Sequence, residues 1–218
     1  MSSIHRFMAV LLVVVGAAGC AQESIELPDT GGSGAGSCGE WYPGGGSAAD
    51  AGDLYGIELG KIFPCAVFES AMLAGEPTYI NIPDVYLAAK HGRSNTRSIV
   101  FVNGASNCPG CAVLVEELVA LAEDFEAAGA LMIGAAWCNN MDINDCDFDA
   151  TTADAVLRDE GWPTERWYTT NDQEGYFRPS FSDVFPSVIV VQVSDMRVQA
   201  VEVAPDAEVV LALVQGIL

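Results

Sequence analysis

Cys108 and Cys111 stand two residues apart, with Pro109 and Gly110 between them. Two cysteines at that spacing can close a small disulfide. They can also pass it on, because one thiolate attacks a foreign disulfide and the second resolves the mixed disulfide that forms. Which cysteine does which depends on the elements around them. Residues 98–103 read Ser-Ile-Val-Phe-Val-Asn, a short β-forming run. After the pair, Leu114, Leu118, Leu121 and Phe125 recur on one helical face. The pattern predicts a buried strand, a turn, and a helix that begins at the cysteines and stops at Gly129. The first turn of a helix offers unpaired N–H groups and partial positive charge, which favour a thiolate. Pro109 suits that turn because its missing N–H has no intrahelical partner to lose. Cys108, nearer the surface, is therefore the expected nucleophile. Cys111, one turn further in, is the expected resolving thiol.

The rest of the chain supplies elements to hold this pair. Residues 131–137 are a continuous apolar run, as in a strand covered on both faces. Strand, helix and strand in that order imply a parallel pair joined by a right-handed crossover. Phe185-Pro186-Ser187 opens the β-forming run 188–191, and a proline immediately before such a strand is a candidate cis bond. A hairpin partner at 197–203 and a helix from Pro205 follow. Upstream, 65–68 reads as an edge strand or hairpin, with Pro64 and Pro77 arguing against a central strand. Residues 82–91 read as a short helix. A helix capped by Thr151 or Thr152 runs to about Glu160, and 165–170 reads as another strand.

Charge and targeting bound the partners. The chain has 218 residues, with 9 Lys and Arg against 30 Asp and Glu, for a formal net charge of −21. Phosphate backbones need a basic face, so nucleic acid is not an expected partner. Residues 1–19 read as a signal peptide, with a polar start and an apolar run too short to span a membrane. Ala17-Ala18-Gly19-Cys20 resembles the bacterial lipobox, with Ala17 where Leu is usual. On that reading Cys20 is lipidated and tethers the chain to a membrane. The other reading is an ordinary signal peptide cut after a small residue. Both export the protein. Residues 20–52 form a Gly/Ser-rich linker, interrupted by Trp41-Tyr42-Pro43, which can dock on the domain expected at 53–218.

Lipidation of Cys20 leaves Cys38, Cys65, Cys108, Cys111, Cys138 and Cys146, an even number in an exported chain. Cys108–Cys111 is the first pair expected. Cys138–Cys146 would close a short loop, which leaves Cys38 with Cys65 by elimination. Six cysteines allow 15 connectivities, so spacing alone leaves the set open. No metal site is expected. The acidic loop 142–149 invites a calcium reading. Counted from Asp145, however, it has Ala150 where an EF-hand needs Gly and Val156 where it needs Glu. His91 lies in a polar loop, and a second Cys-x-x-Cys for zinc is absent from the sequence.

The order strand, Cys-Pro-Gly-Cys helix, strand, helix, strand, Phe-Pro-Ser, hairpin, helix resembles the thioredoxin-like superfamily. It looks most like the exported, membrane-tethered TlpA-like thiol–disulfide oxidoreductases. Gly60-Lys61-Ile62-Phe63-Pro64 with Phe68 is similar to the entry segment of that branch. The resemblance implies an α/β fold with a central mixed sheet flanked by helices, behind an N-terminal extension. It implies Cys108 as nucleophile, Cys111 as resolving cysteine and Pro186 as the cis-proline facing them, with no cofactor. It implies protein thiols and disulfides as substrates, a membrane or envelope redox partner, and a site in the bacterial envelope facing the periplasm, on the inner or the outer membrane. Two features depart from the pattern. The strand 99–103 carries no acid beneath the pair, and Asn107 stands where Trp is common. The alternatives are a redoxin-type thiol peroxidase and a non-catalytic metal- or protein-binding lipoprotein. Ala105 sits three before Cys108, where peroxidatic relatives carry Thr or Ser. Copper-binding relatives use one residue more between their cysteines.

Overall fold

The computed structural model describes residues 41–44, 54–105, 108–137, 149–171, 177 and 185–216. All lie within one compact unit, Gly32–Leu218. The expected leader, the lipidation site Cys20, and Cys38, Cys138 and Cys146 fall outside the described residues, as does the acidic loop up to Phe148. Among the described residues no helix is long and apolar enough to cross a membrane.

Strand β3 (Ser98–Ala105) is the axis of the fold and is buried along its whole length. Its odd positions Ile99 and Phe101 enter one apolar cluster, and its even positions Val100 and Val102 enter the other. Such two-sided burial is why the segment reads as a continuous apolar run. Strand β4 (Ala130–Trp137) pairs parallel to β3, from Ser98 opposite Ala130 to Ala105 opposite Trp137. Strand β6 (Ser187–Gln192) flanks β3 antiparallel on its other side, with β7 (Arg197–Val203) beyond it. The hairpin β1 (Val67–Leu73) and β2 (Glu76–Asn81) joins through β5 (Tyr168–Thr170). The seven strands run in the order β2-β1-β5-β4-β3-β6-β7. Pro77 therefore sits in the outermost strand, where a missing N–H leaves no ladder bond broken.

One face of the sheet is filled by aromatic rings. Phe63 stacks on Phe101 at 4.8 Å, and Phe68 stacks on Phe177 at 5.8 Å. Tyr42 joins them from the linker side. It is almost fully buried, its hydroxyl donates to the Phe63 carbonyl at 3.0 Å, and its ring meets Tyr86 of helix α1 (Ile82–Lys90) edge-on. The docking expected of Trp41-Tyr42-Pro43 thus occurs through Tyr42, and the folded body begins ahead of residue 53.

The other face packs α2 (Pro109–Ala120), α3 (Ala122–Ala127), α4 (Ala150–Asp159) and α5 (Ala207–Gly216) through Leu114, Leu118, Phe125, Leu157 and Val210. The single helix expected to Gly129 is two, broken at Leu121, whose φ of −106° and ψ of 14° leave the helical range. Glu123 and Asp124 then fall in the first turn of α3, where acids complement the helix dipole. Gly129 ends α3 at φ 78°, and a Cβ there would come 2.6 Å from the Asn95 carbonyl. The cap of α4 is Asp149 and not Thr151 or Thr152. Its carboxylate accepts from the Thr152 N–H at 2.7 Å and from the Thr152 hydroxyl at 2.8 Å. The strand expected at 165–170 shortens to β5, because Arg166 and Trp167 donate back to the Pro163 carbonyl in a turn.

Candidate active site: the Cys108–Cys111 end of the central strand

Cys108 is the N-cap of α2, with φ −100° and ψ 100°. Its carbonyl accepts from the N–H groups of Cys111 at 3.0 Å and Ala112 at 3.3 Å, and its sulfur accepts from the Cys111 N–H at 3.1 Å. The side chain therefore sits on the unpaired N–H end of the helix, where a thiolate is stabilised over a thiol. No acid lies in the first turn of α2. Between Asp84 and Glu116 the sequence has no Asp or Glu at all, a long gap for a chain this acidic. The two sulfurs are joined as a disulfide with Cα atoms 5.2 Å apart. Cys108 is half-buried and Cys111 is 2% exposed. The expected division into an outer and an inner cysteine is present in the geometry.

Pro186 meets the pair from β6. The Phe185–Pro186 peptide bond is cis. A Cβ placed on Gly110 would lie 3.3 Å from Pro186 Cδ, so the proline ring packs directly on the turn between the cysteines. Ala204 anchors the Pro186 carbonyl with an N–H bond of 2.8 Å. Beside it, Asn103 of β3 donates its side-chain N–H to the Ser187 hydroxyl at 3.3 Å. Pro186 and the two cysteines, far apart in sequence, thus form one site at the C-terminal end of β3.

Sequence reasoning missed Glu160. The strand beneath the pair carries no acid, yet one arrives from the end of α4. A Cβ built on Gly104 would be 3.6 Å from Glu160 Oε2, 3.7 Å from Cys111 Cβ and 3.7 Å from Cys111 Sγ. The carboxyl and the inner sulfur therefore share the space over Gly104. Glu160 Oε2 is buried and has no hydrogen-bond partner. Burial alone pushes the Glu160 carboxyl up to about 7. A group so placed can hold or release a proton near neutral pH.

Local packing explains how α4 reaches this point. Gly134 of β4 has no side chain, and a Cβ there would come within 2.9 Å of Trp162 and 3.0 Å of Leu157. That close approach lets α4 and Trp162 lie flat on the sheet. Gly161, at φ 93°, turns the chain away immediately after Glu160. Trp162 then anchors the turn by donating to the Tyr168 carbonyl at 3.2 Å and packing edge-on against Trp167. The sequence signal was an acid ahead of a Gly-Trp-Pro anchor, 52 positions from Cys108, and spacing alone does not connect the two.

Cys65 is disulfide-bonded, and its partner lies outside the described residues. Cys38, Cys138 and Cys146 lie outside the described residues. His91 is exposed at the end of α1, and no cluster of metal-ligating side chains occurs among the described residues.

No family model matches the sequence, and no curated protein matches it. Solved structures do match. A mutant of PrxQ from Xylella fastidiosa is 16% identical with a TM-score of 0.50, over 73% of this chain and 96% of that one. Peroxiredoxin Q from Xanthomonas campestris is 14% identical with a TM-score of 0.49, over 73% and 98%. The thioredoxin domain of a thiol-disulfide oxidoreductase from Bacteroides vulgatus is 13% identical with a TM-score of 0.47, over 72% and 98%. Identities this low speak to the fold and not to the activity. The chain has a thioredoxin-like fold, an α/β architecture with a mixed central sheet flanked by helices.

Proposed function

We propose that this protein is an extracytoplasmic thiol–disulfide oxidoreductase that works through Cys108 and Cys111. The observation that carries the reading is the unequal placement of the two sulfurs. One, half-buried, caps a helix, and the other is buried and shares the space over Gly104 with a carboxyl oxygen that has no hydrogen-bond partner.

In the reducing direction both cysteines start as thiols. The Cys108 thiolate attacks one sulfur of a substrate disulfide, and the other sulfur leaves as a thiolate. A mixed disulfide now links Cys108 to the substrate. Cys111 must lose its proton to act next, and the ionised Glu160 carboxylate accepts it across the space over Gly104. The Cys111 thiolate attacks Cys108 Sγ, closes the internal disulfide and expels the second substrate thiolate. Two electrons pass from the pair to the substrate. A dithiol-supplying partner restores the pair by the same steps in reverse. Pro186, packed on the Cys108–Cys111 turn, fixes one wall of the groove in which a substrate strand lies. Ala105, almost fully buried at the end of β3, presents a methyl where a peroxide-reducing site would want a hydroxyl.

The export reading goes with this. Lipidation at Cys20 and the linker to residue 52 tether the domain in the bacterial envelope, with protein thiols and disulfides as substrates. Cys38, Cys65, Cys138 and Cys146 are candidates for structural disulfides of the exported fold, and Cys65 is disulfide-bonded. Cys20→Ser in a cell that processes the protein should release it from membranes, and retention would remove the tether.

The activity is tested with single-cysteine variants. Cys108→Ser should abolish exchange with a disulfide substrate. Cys111→Ser should accumulate mixed disulfides visible on non-reducing gels. Full turnover by Cys111→Ser would overturn the assignment of roles. Consumption of hydrogen peroxide at the expense of a dithiol, faster than disulfide exchange, would move the reading to a peroxidase.

A further inference from the structure

A second concave site lies at the opposite end of β3 from the cysteines. It is a cavity of about 520 Å³ lined by Tyr86, Lys90, Thr96, Arg97, Gln192 and Ser194 among others. Thr96 and Arg97 precede Ser98, the first residue of β3, whereas Cys108 follows its last. The strand's eight residues separate the two sites by roughly 23 Å. The volume falls in the range of small-molecule pockets.

The charge of this pocket is opposite to that of the molecule. The chain carries 30 acids against 9 Lys and Arg, yet Lys90, Arg93 and Arg97 fall within eight residues. Its Tyr86-to-Arg97 side lies in the acid-free stretch of sequence that begins after Asp84, and Gln192, Val193 and Ser194 complete it from the end of β6. Neither Lys90 nor Arg97 makes an ion pair with a described residue; the cations that do are Arg158, Arg166 and Arg197. The nearest acids in sequence look elsewhere. Asp195, next to Ser194, faces Arg197, and Asp84 lies near Arg93. Lys90 Nζ sits 5.1 Å from the centre of the Tyr86 ring, so the cation is held over an aromatic wall and not by a carboxylate.

The frame around the pocket is fixed. The Arg97 N–H donates to the Gly129 carbonyl at 2.8 Å, and its carbonyl accepts from the Val193 N–H at 2.9 Å. Thr96 is tied through its N–H to the Ser94 hydroxyl at 3.1 Å. Tyr86 is buried against Tyr42. Lys90 and Arg97 are exposed and make no ion pair with a described residue, so both can turn to an anion that enters the cavity.

We propose that this cavity binds a small anion of the phosphate or carboxylate type. Arg97 and Lys90 hold the charge, and Thr96 and Ser194 supply hydroxyl donors. The site is independent of the redox reading. The anion is either a free metabolite-sized molecule or a lipid headgroup.

The test uses the whole chain with its disulfides formed. Inorganic phosphate and, separately, vesicles of phosphatidylglycerol or of phosphatidylcholine are the probes, read by amide NMR shifts and by vesicle sedimentation. Phosphate should shift the amides of Thr96, Arg97 and Ser194 and leave those of Cys108 and Cys111 in place. Arg97→Gln should weaken that response about tenfold or more. Lys90→Gln, an exposed helix-end change, gives an independent second variant with the same expected direction. An Arg97-dependent response to phosphatidylglycerol vesicles alone would support the site and identify a headgroup as the source. A response to phosphate would support a free anion. No response to either probe, or one unchanged in both variants, would overturn the proposal.

Discussion

Helix α4 and its C-cap bring two carboxyls onto the sheet, and they are treated in opposite ways. Asp154 is 3% exposed and fully partnered. One oxygen pairs with Arg158 a turn along, and the other accepts from the Thr169 hydroxyl of β5 at 2.9 Å. Glu160, six positions on, presents Oε2 to the space by Cys111 with no partner at all. A buried acid with two hydrogen bonds fixes a helix on a strand. A carboxyl oxygen buried with none costs stability, and the chain keeps it next to a sulfur that must lose a proton. The difference separates a structural carboxyl from a chemical one without appeal to any relative.

The largest effect is expected at Glu160. Glu160→Gln keeps the shape and removes the charge. Disulfide exchange at pH 7 should fall by about 10²-fold, in line with the loss of a general base. In the parent the rate of the resolving step should rise with pH through about 7, as the carboxyl ionises; in the variant that inflection should vanish. Stability should move the other way. The folded state holds the Glu160 proton from the ordinary value of 4.5 up to about 7, so the parent loses stability as pH rises through that window. The Gln variant lacks this loss, and its Tm advantage should grow between pH 4.5 and 7. A variant with parental rate and parental pH profile would make Glu160 a packing residue like its neighbours.

Gly104→Ala sharpens the same point at smaller cost. The added methyl would sit 3.6 Å from Glu160 Oε2 and 3.7 Å from Cys111 Sγ, ordinary contact distances, so the protein should fold. The methyl would nevertheless occupy the space the two groups share. Exchange should slow by about tenfold and the inflection near pH 7 should weaken. Thermal unfolding and stopped-flow exchange over a pH series would check both.

Asp154→Asn acts on the other carboxyl. It should lower stability by about 1–3 kcal/mol, through loss of charge-assisted bonds to Arg158 and Thr169. Its effect on exchange below the melting range should be small, within about twofold. A larger loss of activity at full folding would blur the division between the two acids.

Much of this site was legible in sequence, and the reason is locality. Cys108, Pro109 and Cys111 lie at one strand–helix junction, and the apolar runs on either side determine which end of the helix they occupy. Pro186 was legible because it leads a β-forming run, and β6 pairs directly with β3. Glu160 was not, because its position depends on a glycine in β4 and a tryptophan anchor after α4, contacts no periodicity encodes. The break at Leu121 was hidden for a related reason, since Leu121 kept the apolar spacing while its backbone left the helix. The N-cap of α4 lies two or three residues ahead of the expected threonines, because Asp149 competes with them as an acceptor and an ionised carboxylate is the stronger one.

The most direct test of the central claim is the redox equilibrium of Cys108 and Cys111. The full chain, or its exported form, would be equilibrated against dithiol and glutathione buffers, and the thiols trapped and counted. Reversible two-electron cycling of this pair with a single defined potential is expected. A potential near or below about −230 mV would mark a reductant, and one near or above about −150 mV a disulfide donor. A pair that stays closed across the whole range would contradict the account and leave Cys108–Cys111 a structural staple.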